Sequence, residues 1–275
     1  MLPYLCCPAC AGHVTMAASE ETRDGEIIHG ALACDACGLS YHVHDGIVDF
    51  LGRLEPQTPA QVINQTRLAG WAYERLWRPF ALALLTGQRF PYRRELPLMV
   101  SLAGARRGGL FVDIACSNGL YARALARVAG AAGHIVGVDH SLSMLHEARR
   151  RARVAGLRIS YVRARAEALP VRSGMAAGMV VGGSLNEIMD VDGTLREVRR
   201  VLAADGRFMT MTLTRARSWW GRVLQAAVRP GGVEFRTASE WIAAFRQHGL
   251  ETIEQQQYRV VLFTQSLKQN KEQSV

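Results

Sequence analysis

The sequence has almost no lysine and no long apolar run. Only two of its 33 basic residues are lysines, and no stretch reaches the roughly 18 consecutive apolar residues that a membrane-spanning helix needs. The first twelve residues contain no lysine or arginine, and they carry cysteines where a signal peptide has its apolar stretch. We therefore expect a soluble, cytoplasmic protein without a transmembrane segment.

Charge is unevenly distributed along the chain. The 275 residues carry a formal net charge of +9, but residues 1–60 hold two basic and eight acidic residues. Residues 61–275 hold the other 31 basic and 16 acidic residues, a net charge of +15. A basic body is typical of a nucleic-acid partner, but it also follows from a compositional bias toward arginine in a chain rich in alanine and glycine. Both interpretations stay open at this point.

Cysteine is concentrated at the N-terminus, where it predicts a metal site. Cys7 with Cys10 and Cys34 with Cys37 form two Cys-x-x-Cys pairs, which together supply the four thiolates of a tetrahedral zinc site. Disulfides fit an unexported chain poorly, and a redox dithiol needs only one pair. We predict a structural zinc ion on these four cysteines, with Cys6 as a spare thiol. A closed four-thiolate site folds the module and does not catalyse.

The residues after the second pair complete a small module. Residues 38–51 alternate apolar and polar side chains and turn at Asp45-Gly46, which predicts a hairpin. With the cysteine pairs, the run Tyr-x-Val-x-Asp-Gly-Ile-Val that ends at Val48 resembles the zinc-ribbon modules preceding some class I methyltransferases. These include a group that methylates ribosomal RNA. The resemblance covers residues 5–51.

The rest of the chain predicts a helical bridge followed by an α/β domain. Apolar residues at helical spacing predict helices over residues 60–85 and 92–102. From Gly109 onward strands and helices alternate, which indicates a parallel sheet with helices on both faces. We place the module in residues 1–55, the bridge or lid in 56–105 and the α/β domain in 106–275, with a polar tail from Gln265 that we expect to fray.

Two loops of this domain predict a nucleoside site. A buried strand ending at Ile114 is followed by a turn of small residues, in which Gly119 lets a ligand approach the backbone. Asp139 ends the next strand 20 residues later, where a carboxylate can accept both hydroxyls of a ribose. A dinucleotide site would have Gly-x-Gly-x-x-Gly in the turn. This turn has a single glycine, so NAD and FAD are disfavoured.

Four motifs in order resemble the class I S-adenosylmethionine-dependent methyltransferases, closest to the ubiquinone-biosynthesis-like and small-molecule group. They are residues 112–119, 136–145, 166–170 and 195–207. The resemblance implies a Rossmann-like seven-stranded sheet with helices on both faces, and S-adenosylmethionine as cofactor. The residues that it implies around the cofactor are Asp113, Ala115, Cys116, Ser117, Gly119, Asp139, His140, Met144, Ala166, Glu167, Gly182 and Gly183.

The resemblance also implies a role for each part of that set. Asp113 orders the amino-acid end of the cofactor and Asp139 holds the ribose. His140 and Met144 flank the adenine, whereas Gly182 and Gly183 face the methionine portion. In many such enzymes the preceding helices form a lid, which for this chain would bring Tyr73 and Arg78 toward the ligand.

Several positions depart from the family pattern. Ala115 and Ser117 stand where glycines are usual, and Arg165 stands where an acidic residue usually lies near the adenine amino group. The run containing Ala177 lacks the usual Phe-Asp pair. Because arginine cannot accept a hydrogen bond from an amine, adenine must be recognised by backbone groups or by Glu167.

Methyl transfer is an in-line displacement, so the protein must mainly align the acceptor and exclude water. The candidates for acceptor-side residues are His140, Asn186 and Glu187, and none is assigned as a base. The leading interpretation is an enzyme that methylates a small, apolar or aromatic metabolite. The alternatives are a ribosomal RNA base methyltransferase and a methyltransferase-like protein repurposed as a cyclase or a non-methylating S-adenosylmethionine-binding protein.

The segment 216–230 carries two adjacent tryptophans, Trp219 and Trp220, in an amphipathic pattern. Three interpretations stay open for it. It covers a hydrophobic acceptor, lies on a membrane surface as a peripheral contact, or packs as an ordinary crossover helix.

Overall fold

The computed structural model describes residues 2–23, 26–52, 85 and 88–269. The greater part of the predicted helical bridge, including Tyr73 and Arg78, lies outside the described residues. The predicted helix over residues 92–102 is present, as Tyr92–Ala103. The domain boundaries drawn from the sequence stay predictions.

One sheet of eleven strands runs through the described part of the chain, in the order β1-β2-β3-β4-β7-β6-β5-β8-β9-β11-β10. The six strands from β4 across to β9 pair in parallel, and the strands at either flank pair antiparallel. The strands are β1 (Val14–Arg23), β2 (Glu26–Cys34), β3 (Ser40–His44), β4 (Ile47–Asp49), β5 (Gly109–Ile114), β6 (Gly133–Asp139), β7 (Ser160–Arg163), β8 (Ala176–Gly182), β9 (Leu202–Leu213), β10 (Leu250–Tyr258) and β11 (Val261–Lys268).

Helices cover both faces of the sheet, as the sequence predicts. They are α1 (Tyr92–Ala103), α2 (Leu120–Ala129), α3 (Leu142–Val154), α4 (Val191–Val201), α5 (Trp219–Val228) and α6 (Ala238–Gln247). Buried residues of α1, α2 and α3, such as Met99, Leu125 and Leu145, belong to the core on one face. Leu195 of α4 and Trp241 of α6 belong to the core on the other face. The predicted α/β class with a seven-stranded sheet, β5–β11, is confirmed.

Helix boundaries follow from local capping. The Ser141 hydroxyl accepts a hydrogen bond from the Met144 amide and starts α3 at the residue predicted from the sequence. Thr237 and Glu240 form a capping box at the start of α6. Such caps satisfy amide groups that a helix leaves without partners, so short-range sequence is sufficient to predict them.

The N-terminal module continues the sheet of the α/β domain. The predicted turn is present, with Asp45 at φ 49° and Gly46 at φ 71°, and it joins β3 to β4. Strand β4 then pairs in parallel with β7, so that Val48 lies opposite Val162. Residue Leu5 forms a second, antiparallel bridge to Val171. Backbone hydrogen bonds therefore join the module to the domain in two places.

A side-chain ion pair strengthens this junction near the start of β4. Arg149 of α3 has a side chain only 7% exposed, and its guanidinium lies 2.7 Å from the Glu26 carboxylate of β2. The same guanidinium packs against Gly46, where any side chain would collide with it. Glycine at this turn therefore suits the junction, because it adopts the positive φ and leaves space for the Arg149 guanidinium.

The predicted fraying of the chain from Gln265 is wrong for its first residues. Strand β11 extends to Lys268, Gln265 and Ser266 are buried, and the Gln265 amide donates to the Leu102 carbonyl. Polar composition suggested a loose tail because the sequence does not reveal that Thr264 and Ser266 have hydroxyl partners across the sheet. Residues 270–275 lie outside the described part of the chain.

Candidate cofactor site and four-cysteine cluster

The candidate cofactor site lies at the carboxyl edge of the parallel strands. Strand β5 pairs with β6 on one side and β8 on the other, so the chain direction of the crossovers reverses at β5. Ligands of open α/β sheets bind in the crevice at such a switch point. The turns that follow β5, β6 and β8 meet there, and they contain most of the residues implied by the methyltransferase resemblance.

The turn after β5 follows a path suited to glycine although it contains only one. Ala115, Ser117 and Gly119 all have positive φ, at 52°, 50° and 74°. For alanine and serine this left-handed region costs about 1 kcal/mol each. The two departures from the family pattern therefore keep the glycine-like backbone and leave local strain in the turn, as is common at functional sites.

Asp139 holds this turn to the start of α3. One carboxylate oxygen accepts a hydrogen bond from the Ser117 amide and the other accepts one from the Ser141 amide, each at 2.8 Å. The side chain is only 7% exposed. A carboxylate has about four acceptor positions, so two stay available for the hydroxyls of a ribose. The acceptor positions of this carboxylate thus fit the two hydroxyl donors of a ribose.

Asp113, near the end of the neighbouring strand β5, also accepts a hydrogen bond from a backbone amide at the start of a helix. Helix α2 begins after Gly119, which has no side chain with which to cap it. The Asp113 carboxylate, at the end of β5, accepts a hydrogen bond from the Ala122 amide in the first turn of α2 at 2.8 Å. The acidic residue therefore fixes the helix whose amino end faces the site.

Tyr161 supports the turn from below, a role that sequence reasoning missed. A Cβ at Gly119 would lie 2.7 Å from the Tyr161 hydroxyl oxygen, and a Cβ at Gly137 would lie 2.8 Å from its ring. The side chain of Cys116 is buried beside Gly137, and burial raises the pKa of its thiol. Cys116 thus contributes packing and backbone to the turn, because a buried protonated thiol is a poor nucleophile.

The adenine-side candidates are brought together only in part. Met144 is buried under the turn, with its sulfur 3.6 Å from the Ser117 hydroxyl. His140 is half-exposed, with Nδ1 3.6 Å from an Asp139 carboxylate oxygen. Glu167 lies within 3.5 Å of the Arg165 guanidinium. Arg165 therefore has a carboxylate neighbour in the same loop.

The end of β8, the predicted acceptor side, lies against a buried polar pair. A Cβ at Gly182 would lie 2.5 Å from the Tyr121 ring, and Gly183 has φ 94°. The Tyr121 hydroxyl donates a short hydrogen bond to the fully buried carboxylate of Glu95 in α1. Glu95 and Tyr121 were not selected from the sequence, because a glutamate in the first turn of a helix normally faces solvent.

The loop after β8 contains two catalytic candidates with different surroundings. The buried Asn186 side chain donates to the carbonyls of Leu213 and Glu234 and accepts from the Leu213 amide. Its amide group is thus occupied by backbone partners. Glu187 lies at the exposed rim, where no described residue donates a hydrogen bond to its carboxylate. Desolvation by the surrounding protein raises the pKa of its carboxyl group.

Arg163 connects the N-terminal module to the cofactor side. It ends β7, and its guanidinium donates to the Asp49 carboxylate at 2.9 Å and to the His140 carbonyl at 2.9 Å. Both charged side chains are mostly buried, at 13% and 17% exposure. The chain from Asp49 through Arg163 to His140 therefore ends beside Asp139.

The four predicted metal ligands form one cluster. All sulfur atoms of Cys7, Cys10, Cys34 and Cys37 lie within 4.8 Å of one another. The separations of two sulfur pairs, Cys7 to Cys37 and Cys10 to Cys34, are 3.7 and 3.5 Å. A tetrahedral ion with zinc–sulfur bonds of about 2.3 Å requires sulfur separations of about 3.8 Å. Ligand type and spacing therefore fit zinc.

Groups around the cluster favour a thiolate. The Tyr41 hydroxyl lies 2.9 Å from the Cys7 sulfur, a contact not foreseen from the sequence. Partial burial raises the pKa of the Cys7 thiol, but hydrogen bonds from Tyr41 and from backbone amides outweigh it and lower that pKa to about 6. Gly12 allows close approach, since a Cβ there would lie 2.9 Å from the Cys34 sulfur. The spare thiol, Cys6, lies outside the cluster beside Arg200.

Two family models match separate parts of the chain. Residues 92–221 match the ubiE/COQ5 methyltransferase family, and residues 1–46 match the Trm112p-like proteins. The resemblance to methyltransferases of the ubiquinone-biosynthesis-like group, preceded by a small cysteine-containing module, is therefore confirmed.

Named relatives match the central part of the chain. The 2-phytyl-1,4-naphtoquinone methyltransferase of Trichormus variabilis is 28% identical over 146 residues, which are 52% of this chain and 58% of the relative. The ubiquinone/menaquinone biosynthesis C-methyltransferase UbiE of Serratia proteamaculans is 31% identical over 118 residues, 42% of this chain and 47% of the relative. The chain spans about half the length of these relatives.

Solved structures share the fold at low sequence identity. Bacillus subtilis YcgJ superposes with a TM-score of 0.56 at 20% identity over 65% of this chain and 99% of that protein. A chain from the complex of the Haloferax volcanii Trm112 methyltransferase activator has a TM-score of 0.52 at 18% identity. The match covers 65% of this chain and 94% of that chain. The [4+2]-cyclase SpnF has a TM-score of 0.56 at 17% identity, and the match covers 73% of this chain and 95% of that chain. No helix among the described residues has the length and apolar character needed to span a membrane.

The cysteine cluster yields a metal-content prediction. The purified protein is expected to hold one zinc ion per chain, and Cys37→Ser is expected to lose it because a three-thiolate site binds the ion less tightly. Cys6→Ser is the matched control, since it removes a neighbouring thiol outside the cluster and should leave zinc content unchanged. Elemental analysis gives the stoichiometry. Full zinc retention in Cys37→Ser would contradict the assignment.

The carboxylate at the end of β6 yields a binding prediction. Asp139→Asn is expected to weaken S-adenosylmethionine binding at least about tenfold, since an amide replaces the charged carboxylate that we predict to accept two ribose hydroxyls. Titration calorimetry measures the change. Asp205→Asn is the control. Asp205 is an exposed residue near the start of β9 that pairs with Arg107, so this variant should bind the cofactor like the unaltered protein. Equal affinities for Asp139→Asn and Asp205→Asn would exclude a ribose contact.

Proposed function

We propose that this chain is an S-adenosylmethionine-dependent methyltransferase whose acceptor is a small, apolar, quinone-like ring. The observation that carries the proposal is the Asp139 carboxylate, which is mostly buried at the end of β6 and uses only two of its about four acceptor positions for the Ser117 and Ser141 amides. The ubiE/COQ5 match and the quinone methyltransferases among the relatives support both the reaction and the class of acceptor.

In this proposal several of the predicted residues surround the cofactor. Asp139 accepts the ribose hydroxyls, and the turn 115–119 lies along the amino-acid end. Ala166 and Glu167 border the adenine, whereas Gly182 and Gly183 leave room for the methionine portion. The cofactor supplies an electrophilic methyl group on a sulfonium. The departure at Ala177 does not touch this pocket, since Ala177 lies near the amino end of β8, five residues before Gly182.

The acceptor side must position a ring and receive its proton. Transfer joins the methyl carbon to the acceptor, breaks the carbon–sulfur bond with both electrons going to sulfur, and releases a proton from the acceptor. Asn186 is suited to fix the loop after β8, because its amide is bonded to the backbone. Glu187 is suited to receive the proton, because its carboxylate lies at the rim of the same loop and desolvation raises the pKa of its carboxyl group above its ordinary value.

The test is methyl transfer from isotopically labelled S-adenosylmethionine to a 1,4-naphthoquinol with a short prenyl chain, measured by mass spectrometry. We expect labelled product with the native chain and a marked decrease in rate with Glu187→Gln, together with loss of the rise in rate with pH. Glu254→Gln, on exposed β10, is the control. Label on RNA in place of the quinol would favour the RNA alternative, and cofactor binding without any transfer would favour the repurposed protein.

We also propose that the N-terminal module stabilises the cofactor site within the same chain. The module matches the Trm112p-like proteins, and one structural neighbour comes from a complex with a methyltransferase activator of that name. In this chain the pairing of β4 with β7 and the contacts of Arg163 with Asp49 and His140 provide a physical route. The module would thus support the loop after β6 directly.

Asp49→Asn tests this link. The substitution removes the charge that holds Arg163, and we expect S-adenosylmethionine to bind about three- to tenfold more weakly while zinc content is unchanged. Glu26→Gln is the matched control, because it breaks the ion pair with Arg149 at the other end of β4. Calorimetry on both variants decides the matter. Equal affinities for the two variants would show that the module does not act through Arg163.

A further inference from the structure

Helix α5 presents an apolar surface to solvent. Trp219, Trp220, Val223 and Leu224 are 56%, 63%, 54% and 68% exposed. At 100° per residue these four side chains occupy one arc of the helix, and the two indole rings stack with centroids 3.7 Å apart. Contiguous exposure of this kind marks an interaction surface more often than do scattered apolar residues.

The helix does not bury its apolar arc as an ordinary surface helix does. Gln225 faces the protein, since its side-chain oxygen accepts from the Ala216 amide at 2.8 Å and its side-chain nitrogen donates to the Thr214 carbonyl at 2.9 Å, whereas Arg222 is exposed. Gly221 packs on the same side, where a Cβ would lie 2.6 Å from the Ala216 side chain. Surface helices of water-soluble proteins normally bury the apolar arc and expose the polar one. The exposed apolar arc is therefore a candidate surface for contact with a partner outside the described residues.

The charges around the helix indicate what that partner is. Residues 214–233 contain four arginines and no acidic residue. Arg215 pairs with Glu240 at 3.3 Å, whereas Arg217, Arg222 and Arg229 are exposed and have no acidic partner among the residues the structure describes. Tryptophan beside arginine on a helix with an apolar arc is the composition that favours the interface of an anionic lipid bilayer.

The location of α5 relates this surface to the pocket. The helix follows the carboxyl end of β9, at the edge of the sheet where the candidate cofactor site lies. The Asn186 side chain binds Leu213 before the helix and Glu234 after it, so the acceptor-side loop and the ends of the α5 segment form one unit.

We propose that α5 docks the protein on an anionic membrane surface, with the acceptor side of the pocket toward the lipid. Trp219, Trp220, Val223 and Leu224 enter the interface and the arginines contact the headgroups. Docking itself is independent of the reaction. Its use in receiving an apolar acceptor from the bilayer rests on the proposed function.

The test is co-sedimentation of the full chain with vesicles of phosphatidylcholine alone and of phosphatidylcholine with about 30% phosphatidylglycerol. We expect binding to the anionic vesicles that decreases with salt. The double variant Trp219→Ser/Trp220→Ser should lower the partition coefficient about tenfold or more, because it removes the apolar arc's largest side chains. Arg217→Gln/Arg222→Gln should lower binding to anionic vesicles selectively.

The control is Val154→Ser. Val154 is 80% exposed but ends α3, at the opposite edge of the sheet, so this variant should bind vesicles like the native chain. All variants should keep their affinity for S-adenosylmethionine, which separates failure of docking from failure of the proposed function. A native chain that stays in the supernatant, or a tryptophan variant that still sediments fully, would overturn the proposal. In sedimentation velocity without vesicles, a native chain that forms a dimer and a tryptophan variant that does not would assign the surface to a second copy of the chain. That result would also overturn the proposal.

Discussion

The candidate site depends on one carboxylate with two backbone partners. Asp139 accepts hydrogen bonds from Ser117, in the turn after β5, and from Ser141, at the start of α3. Because hydrogen bonds to a mostly buried carboxylate are stronger than neutral ones, this side chain fixes two loops relative to one another. Strain in that turn, where Ala115 has positive φ, is tolerated because the surrounding contacts hold the turn in place.

The same edge of the sheet also receives the N-terminal module. Pairing of β4 with β7 makes the module part of the sheet, and Arg163 carries the contact from Asp49 to the loop that holds Asp139. A metal that folds the module would in this way stabilise the pocket without touching a ligand. The module, the turn after β5 and the loop after β6 are thus separate in sequence but joined by direct contacts.

Local signals in the sequence were sufficient for much of this architecture. Ser141 as a helix cap, Asp45-Gly46 as a hairpin turn and the paired cysteines each depend on neighbours a few residues away, and each is found as predicted. The missed features depend on distant partners. Glu95 meets Tyr121, and Gln265 is buried against Leu102, which no local pattern indicates.

Among the site residues, too, those set by local patterns could be predicted and those set by distant partners could not. The ends of β5 and β6 could be predicted from strand patterns and from the resemblance, since a parallel sheet brings its carboxyl ends together. The sequence did not distinguish Asn186, whose amide is bonded to the backbone, from its neighbour Glu187, whose carboxylate is exposed. That difference arises from Leu213 and Glu234, which are 27 and 48 residues away from Asn186.

The most direct measurement is a crystal structure of the full chain with S-adenosylhomocysteine. The account predicts both ribose hydroxyls on the Asp139 carboxylate, with the turn 115–119 along the amino-acid end. A nucleoside bound elsewhere, with Asp139 contacting only Ser117 and Ser141, would contradict it.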